Sequence, residues 1–298
     1  MIIDNITKII DLFLNELSSV KRVSKNTLQS YKTDLTQFAT FCVEKKITDI
    51  TLITTNFIRK YIVTLNEQKL KKTSISRKLS ALRSLFEFAL KNDLLNKNIL
   101  KEISNPKIKR NLPETIDLDS LLKIYKLTFK TEEENKAKLI NSIFELLYGC
   151  ALRVSELCSL KISDLNTEQK YLRVFGKGSK ERIVPVGTKS LLVVAEYMKT
   201  QNYNSPQDYL LKTPKGKQLY PELVYRFVKK YISEVSDIKK KSPHVLRHSA
   251  ATHMLNNDAD LLAVKEILGH ENLSTTQIYT HVSIERLKNT FKKAHPKS

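Results

Sequence analysis

The sequence predicts a mainly α protein of two domains, the second carrying a small β-hairpin. Three observations support this. Apolar residues recur at helical spacing along most of the 298-residue chain. Gly (6) and Pro (8) are scarce, and hydrophobic residues make up 41%, enough for a real core. The stretch YLRVFGKGSKERIVPV alternates and turns as two short strands would.

Residues 1–103 read as four helices. Ile6, Ile9, Ile10, Phe13, Leu14 and Leu17 form one apolar stripe at i, i+3, i+4, i+7 and i+8. Ser24 is placed to cap a second helix carrying Leu28, Tyr31, Leu35, Phe38 and Phe41. A third helix spans about 55–66. A fourth follows Ser74 or Ser76, with Leu79, Leu82, Leu85, Phe86 and Ala89 inward. Residues 104–114, SNPKIKRNLPE, hold two prolines and three cations in a polar run, the composition of a basic linker.

Residues 115–298 form the second domain. Helices are predicted at about 117–129, 136–149 and 154–160, and strands at 171–175 and 181–186. Helices follow at about 188–200, 220–235, 244–257, 260–268 and 275–282. The chain closes on a short basic tail, 284–298.

The formal charge is +20 and the pI about 9.7. Both parts carry the excess, +8 over residues 1–103 and +12 over the rest. Such self-repulsion suits two lobes facing one polyanion, nucleic acid above all. Lys71, Lys72, Arg77, Lys78 and Arg83 cluster at the start of the fourth helix, where phosphates bind readily. Lys107, Lys109 and Arg110 make the linker a basic strap. Three cysteines without a CxxC argue against a disulfide framework or structural zinc, and fit a reducing cytosol. The N-terminus lacks the basic start and apolar run of a signal peptide, and no stretch approaches a membrane span.

Five of the six histidines fall between 244 and 281. In PHVLRHSAATH, His244 and Arg247 share a helix face at i, i+3, with Pro243 suited to the first helical position. His244 and His248 have zincin spacing, but Val245 stands where that motif needs Glu and no third ligand is evident, so no metal is expected. His248, His253 and His281 read as buried structural groups. In LGHENLSTTQIYTH, His270 follows a glycine turn, and Ser274 and Gln277 make a capping box for a short helix bearing Tyr279. A phenol with a pKa of about 10 is only ~0.1% ionised at neutral pH, so an attacking tyrosine needs a base or a cationic site.

GCALRVSELCSLKISDL, GKGSKERIVPV, SPHVLRHSAATHML and LGHENLSTTQIYTHV resemble, in order and spacing, the catalytic boxes of tyrosine recombinases, the lambda-integrase family. The chain looks most like the XerC/XerD branch. The resemblance spans nearly the whole chain. It implies a helical SAM-like, core-binding DNA clamp over 1–103, the linker 104–114 and a catalytic domain over 115–298. It matches Arg153, Lys177, His244, Arg247 and His270 to the catalytic set and Tyr279 to the nucleophile. Glu156 matches an acidic position that orients its neighbours. Ala250, and Asn256-Asn257-Asp258, depart from the family's habit outside the active-site positions.

The implied reaction is transfer of a DNA phosphodiester to tyrosine, through a 3′-phosphotyrosyl bond and a Holliday junction. Arginines would neutralise the phosphate and Lys177 would protonate the leaving 5′ oxygen, so neither a cofactor nor ATP is called for. The implied partners are double-stranded DNA, a homotetramer or a heterotetramer with a second recombinase, and an FtsK-type translocase. The implied role is resolution of chromosome dimers at a dif-like site during chromosome partition and cell division, in the cytoplasm at the nucleoid. A phage or mobile-element integrase is the alternative, with a type IB topoisomerase and an inactive DNA-binding protein behind it. The tail resembles the Xer segment that docks on a neighbouring protomer, with Ile284 and Leu287 as docking residues.

Overall fold

The computed structural model describes residues 5–20, 23–107, 114–176, 181–269 and 290–296. The chain divides into two compact units, residues 1–111 and 112–298.

The first unit is built from four helices: α1 Asn5–Ser19, α2 Lys25–Glu44, α3 Thr55–Glu67 and α4 Lys72–Lys91. The α1 stripe buries Ile6, Ile9, Ile10, Phe13 and Leu17. Ser24 caps α2 by accepting from the Thr27 N–H at 3.2 Å, and Thr54 caps α3 by accepting from the Phe57 N–H at 3.2 Å. Phe38, Phe41 and Tyr61 pack ring against ring at 5.0–5.1 Å between centroids. Helix α4 starts ahead of both Ser74 and Ser76, the expected starts, and buries the five expected residues, Leu79, Leu82, Leu85, Phe86 and Ala89.

Lys78 departs from the expected DNA-facing cluster. It lies three residues after Ile75 and four before Leu82, on the apolar face of α4, and is only 5% exposed. Its ammonium donates to Asp34 Oδ1 at 2.9 Å, and Arg77 holds the other oxygen of the same buried carboxylate. Clustering along the sequence concealed the helical phase. Asp34→Ala is expected to cost ~3–5 kcal/mol, because it strands a buried ammonium. Urea unfolding would measure that loss, and a change under 1 kcal/mol would contradict it.

The second unit contains α5 Leu118–Thr131, α6 Glu134–Phe144, α7 Val154–Ser159, α8 Thr188–Met198, α9 Pro221–Val235, α10 Pro243–Asn256 and α11 Leu261–Leu268. Between α7 and α8 lies an antiparallel meander, β1 Leu165–Asn166, β2 Tyr171–Phe175 and β3 Glu181–Pro185, in the order β1-β2-β3. The two-residue β1 is too short to show in the sequence. The predicted helix over 136–149 divides: after Phe144 it widens into a π-helical turn, Glu145–Gly149. That turn leads into Ala151 at φ +49°, a left-handed conformation costly for a residue with a Cβ. One apolar core runs from Ile116 to Phe291 through these elements.

The tail does not stand wholly clear of its own unit. Residues 290–294 are helical, and Phe291 and Ala294, an i, i+3 apolar pair, are 3% and 2% exposed. Asn257 Nδ2 donates to the Ala294 carbonyl at 2.9 Å. Ile284 and Leu287 and the predicted helix over 275–282 lie outside the described residues.

Candidate active site

The site is assembled around one carboxylate. Arg153 immediately precedes α7 in extended conformation, and Glu156 sits three residues on, 3% exposed. Glu156 Oε2 accepts from the Arg153 backbone N–H at 2.8 Å, satisfying an otherwise orphaned donor at the helix start. Its Oε1 accepts from Arg153 Nη1 at 2.7 Å. Arg182, from β3, then forks onto the same carboxylate, Nη1 to Oε1 at 2.7 Å and Nη2 to Oε2 at 2.9 Å. Arg247, from the second turn of α10, brings Nη1 within 3.8 Å of Oε2.

The same three arginines converge on the end of α11. Arg182 Nε donates to the Ile267 carbonyl at 3.0 Å, Arg247 Nη2 to the Leu268 carbonyl, and Arg153 Nη2 to the Gly269 carbonyl at 2.7 Å. Three successive carbonyls at a helix C-terminus thus each receive a different guanidinium. The negative end of the helix dipole complements them. Gly269 closes α11 at φ +62°, where glycine is at ease. Arg247 Nη1 also donates to the carbonyl of Ala151. The left-handed backbone after the π-helical turn therefore ends on a contact to a site arginine.

Electrostatics follow from this crowding. Burial pulls the Arg247 pKa down to about 10, and the neighbouring charge of Arg153 adds to that, opposed by Glu156. Burial pushes the Glu156 carboxyl up. The hydrogen bonds from Arg182 and Arg153 outweigh it and hold the group below its ordinary range. Three guanidiniums against one carboxylate leave a double positive excess. The side chains of Arg182 and Arg247 are 12% and 9% exposed and that of Arg153 is 35% exposed, so the excess opens to solvent at Arg153. An anion with several acceptor oxygens matches that opening.

Of the expected catalytic residues, the structure brings Arg153 and Arg247 together and places His244 exposed in the first turn of α10, ahead of Arg247. Lys177, His270 and Tyr279 lie outside the described residues, with the capping pair Ser274 and Gln277. His270 directly follows the arginine-bound end of α11 in the chain. His253 is hydrogen-bonded but half-buried rather than buried: its Nδ1 lies 2.8 Å from the Tyr148 hydroxyl, and its partial burial lowers its pKa. His248 is half-buried too, and His281 lies outside the described residues. Among the described residues no cluster of metal-ligating side chains occurs.

Arg182 escaped the sequence reading. Its signal was phase: in the β2–β3 register it stands opposite Val174, with Leu172 opposite Val184 two residues on, all four on one face. Leu172, Val174 and Val184 are buried, so Arg182 is a charge on a core-facing strand position. In the first unit Lys71, Lys72 and Lys107 are exposed. Arg83 is engaged with the Ile103 carbonyl at 2.7 Å and Asn105 at 2.9 Å. Lys109 and Arg110 lie outside the described residues.

The Phage integrase family profile matches residues 114–286, and that of the phage integrase N-terminal SAM-like domain matches residues 10–93. The chain belongs to the phage integrase family of tyrosine recombinases. Members of this family break and rejoin DNA, and this protein is an enzyme of that class. Tyrosine recombinase XerC of Pelobacter propionicus is 38% identical over 96% of this chain and 94% of its own length. Tyrosine recombinase XerD of Staphylococcus haemolyticus is 35% identical over 97% and 99%. The recombinase fold is shared with XerH bound to its difH substrate, at TM-score 0.72 and 20% identity over 97% of this chain and 96% of that one. It is shared too with lambda integrase bound to a core site, at TM-score 0.69 and 17% identity over 93% and 98%. For this recombinase the mostly helical fold and the two-part family architecture agree with the sequence reading.

Proposed function

We propose that this recombinase resolves chromosome dimers at a dif-like site, cutting through Tyr279 in an assembly of four protomers on DNA. The partners are copies of itself or a second Xer-type recombinase, with an FtsK-type translocase as activator. The similarity to XerC and XerD over more than nine-tenths of each chain supports the biological role. The observation that carries the chemistry is the cluster of guanidiniums on Glu156 and the end of α11.

In this reading Arg153 and Arg247 grip the non-bridging oxygens of the scissile phosphate, and His270 adds a hydrogen bond. Tyr279 Oη attacks phosphorus and gives up its proton to His244. The P–O bond to the 5′ oxygen breaks, and Lys177 delivers a proton to that oxygen. A 3′-phosphotyrosyl bond and a free 5′ hydroxyl result, and the reverse steps on the partner strand reseal the DNA. The exposed Lys71, Lys72 and Lys107 track the phosphate backbone, with Lys109 and Arg110 continuing the strap.

The test is a nicked suicide duplex carrying the host's dif-like sequence. Wild-type protein is expected to form a covalent DNA adduct that maps to the peptide containing Tyr279. Tyr279→Phe should form none while shifting the duplex in a gel as wild type does. An adduct persisting on Tyr279→Phe would refute the nucleophile. Adduct formation confined to attachment-like sites would turn the role towards a mobile-element integrase.

A further inference from the structure

We propose that Arg182 is a positioning residue of the phosphate site, setting the separation of Arg153 and Arg247 through Glu156 and the terminal carbonyls of α11. This rests on the reading of Arg153 and Arg247 as the phosphate-binding pair.

Arg182 spends its hydrogen-bonding fork inside the protein. Nη1 and Nη2 take one oxygen each of Glu156, and Nε takes the Ile267 carbonyl. All three of its nitrogens donate to protein acceptors, so it is placed to hold other residues rather than to grip DNA. What it holds is informative. Glu156 orients Arg153 by two hydrogen bonds, to its backbone N–H and to Nη1. The Ile267 carbonyl precedes the carbonyls that receive Arg247 and Arg153. Arg182 also packs against Gly269: a Cβ there would lie 2.9 Å from Arg182 Cδ and 3.0 Å from Nε. One planar side chain on β3 thus fixes the carboxylate on one side and the helix end on the other, with the two other arginines between the same supports. A lysine could supply the charge but only a single donor nitrogen in place of the three-point fork.

The experiment uses full-length protein and two nicked dif-like duplexes. One has an ordinary scissile phosphodiester. The other has a methylphosphonate, in which one non-bridging oxygen is a methyl group and the charge is absent. Arg182→Lys is expected to slow single-turnover adduct formation on the phosphodiester by about 10²-fold, the scale of an ångström-sized misplacement. Gel-shift affinity should stay within about threefold. The defect should shrink to under tenfold on the methylphosphonate, which asks less of the arginine pair. Gly269→Ala, whose Cβ would crowd Arg182 Cδ and Nε from a left-handed position that strains any residue with a Cβ, should reproduce the same substrate-dependent defect.

Equal slowing on both duplexes, tracking a fall in Tm, would mean a purely structural bridge and overturn the proposal. So would a wild-type rate for Arg182→Lys. Failure of wild-type protein to form any adduct, or an adduct on Tyr279→Phe, would instead strike the underlying reading of the site.

Discussion

Arg247→Lys is expected to make DNA cleavage fall more steeply with rising pH than it does in the wild-type enzyme. The reasoning starts from burial. Arg247 is 7% exposed, and its surroundings already bring a guanidinium to a pKa of about 10. At pH 7–9 that arginine is still charged. A lysine begins at about 10.4 rather than above 12, so the same desolvation and the same repulsion would bring it well below the arginine's value. A cation is charged below its pKa. The variant would therefore lose its charge at a lower pH than the wild-type arginine does.

The single nitrogen of a lysine also cannot serve the Ala151 and Leu268 carbonyls as the guanidinium does. On top of the pH effect, the loss of one charge-stabilising donor is worth on the order of 10²–10³ in rate. The second-order rate of adduct formation at subsaturating DNA is the quantity to follow, because it reports ionisations of the free enzyme. A profile for Arg247→Lys parallel to wild type from pH 6.5 to 9 would sink the argument.

Much of this site was legible because its residues obey spacing. The H-x-x-R pair in PHVLRH follows from the helical period, and α10 does begin at Pro243 as that dipeptide required. Glu156 was named an orienting acid by the family resemblance alone, and the structure puts it at N3, where a side chain can reach back to the backbone of a helix start. Less legible was whatever depended on phase or on distant partners. Lys78 belongs to a basic run by sequence, but α4 turns it onto Asp34, 44 residues away. Arg182 lies next to Glu181 in a strand with alternating faces, and its partners are 26 and 85 residues distant. The π-helical turn before Ala151 left no periodic mark, because one extra residue per turn is lost among apolar neighbours. Local rules therefore placed His244 and Arg247 on one helix start, and long-range packing decided what supports the arginines.

Glu156→Gln should produce the largest loss of stability of any single change at this site. The carboxylate is the counter-charge within reach of three guanidiniums, and its side chain is 2% exposed. An amide keeps the shape but not the charge, and its NH₂ would face N–H groups of Arg153 or Arg182. Breaking a buried pair in this way typically costs ~3–5 kcal/mol. The pH dependence supplies a sharper signature. Glu156 is held below its ordinary range in the folded protein. Its contribution is fully present above the unfolded value of about 4.3 and is lost as pH falls through the folded one. Wild type and Glu156→Gln should therefore differ most in urea unfolding above about pH 5 and converge as the solution becomes more acidic. The uncompensated arginines of the variant should also draw in sulfate or phosphate, so added sulfate would raise its Tm more than that of wild type. A stability gap constant from pH 7 down to pH 3 would contradict the assignment of Glu156 as the charge that holds the arginines together.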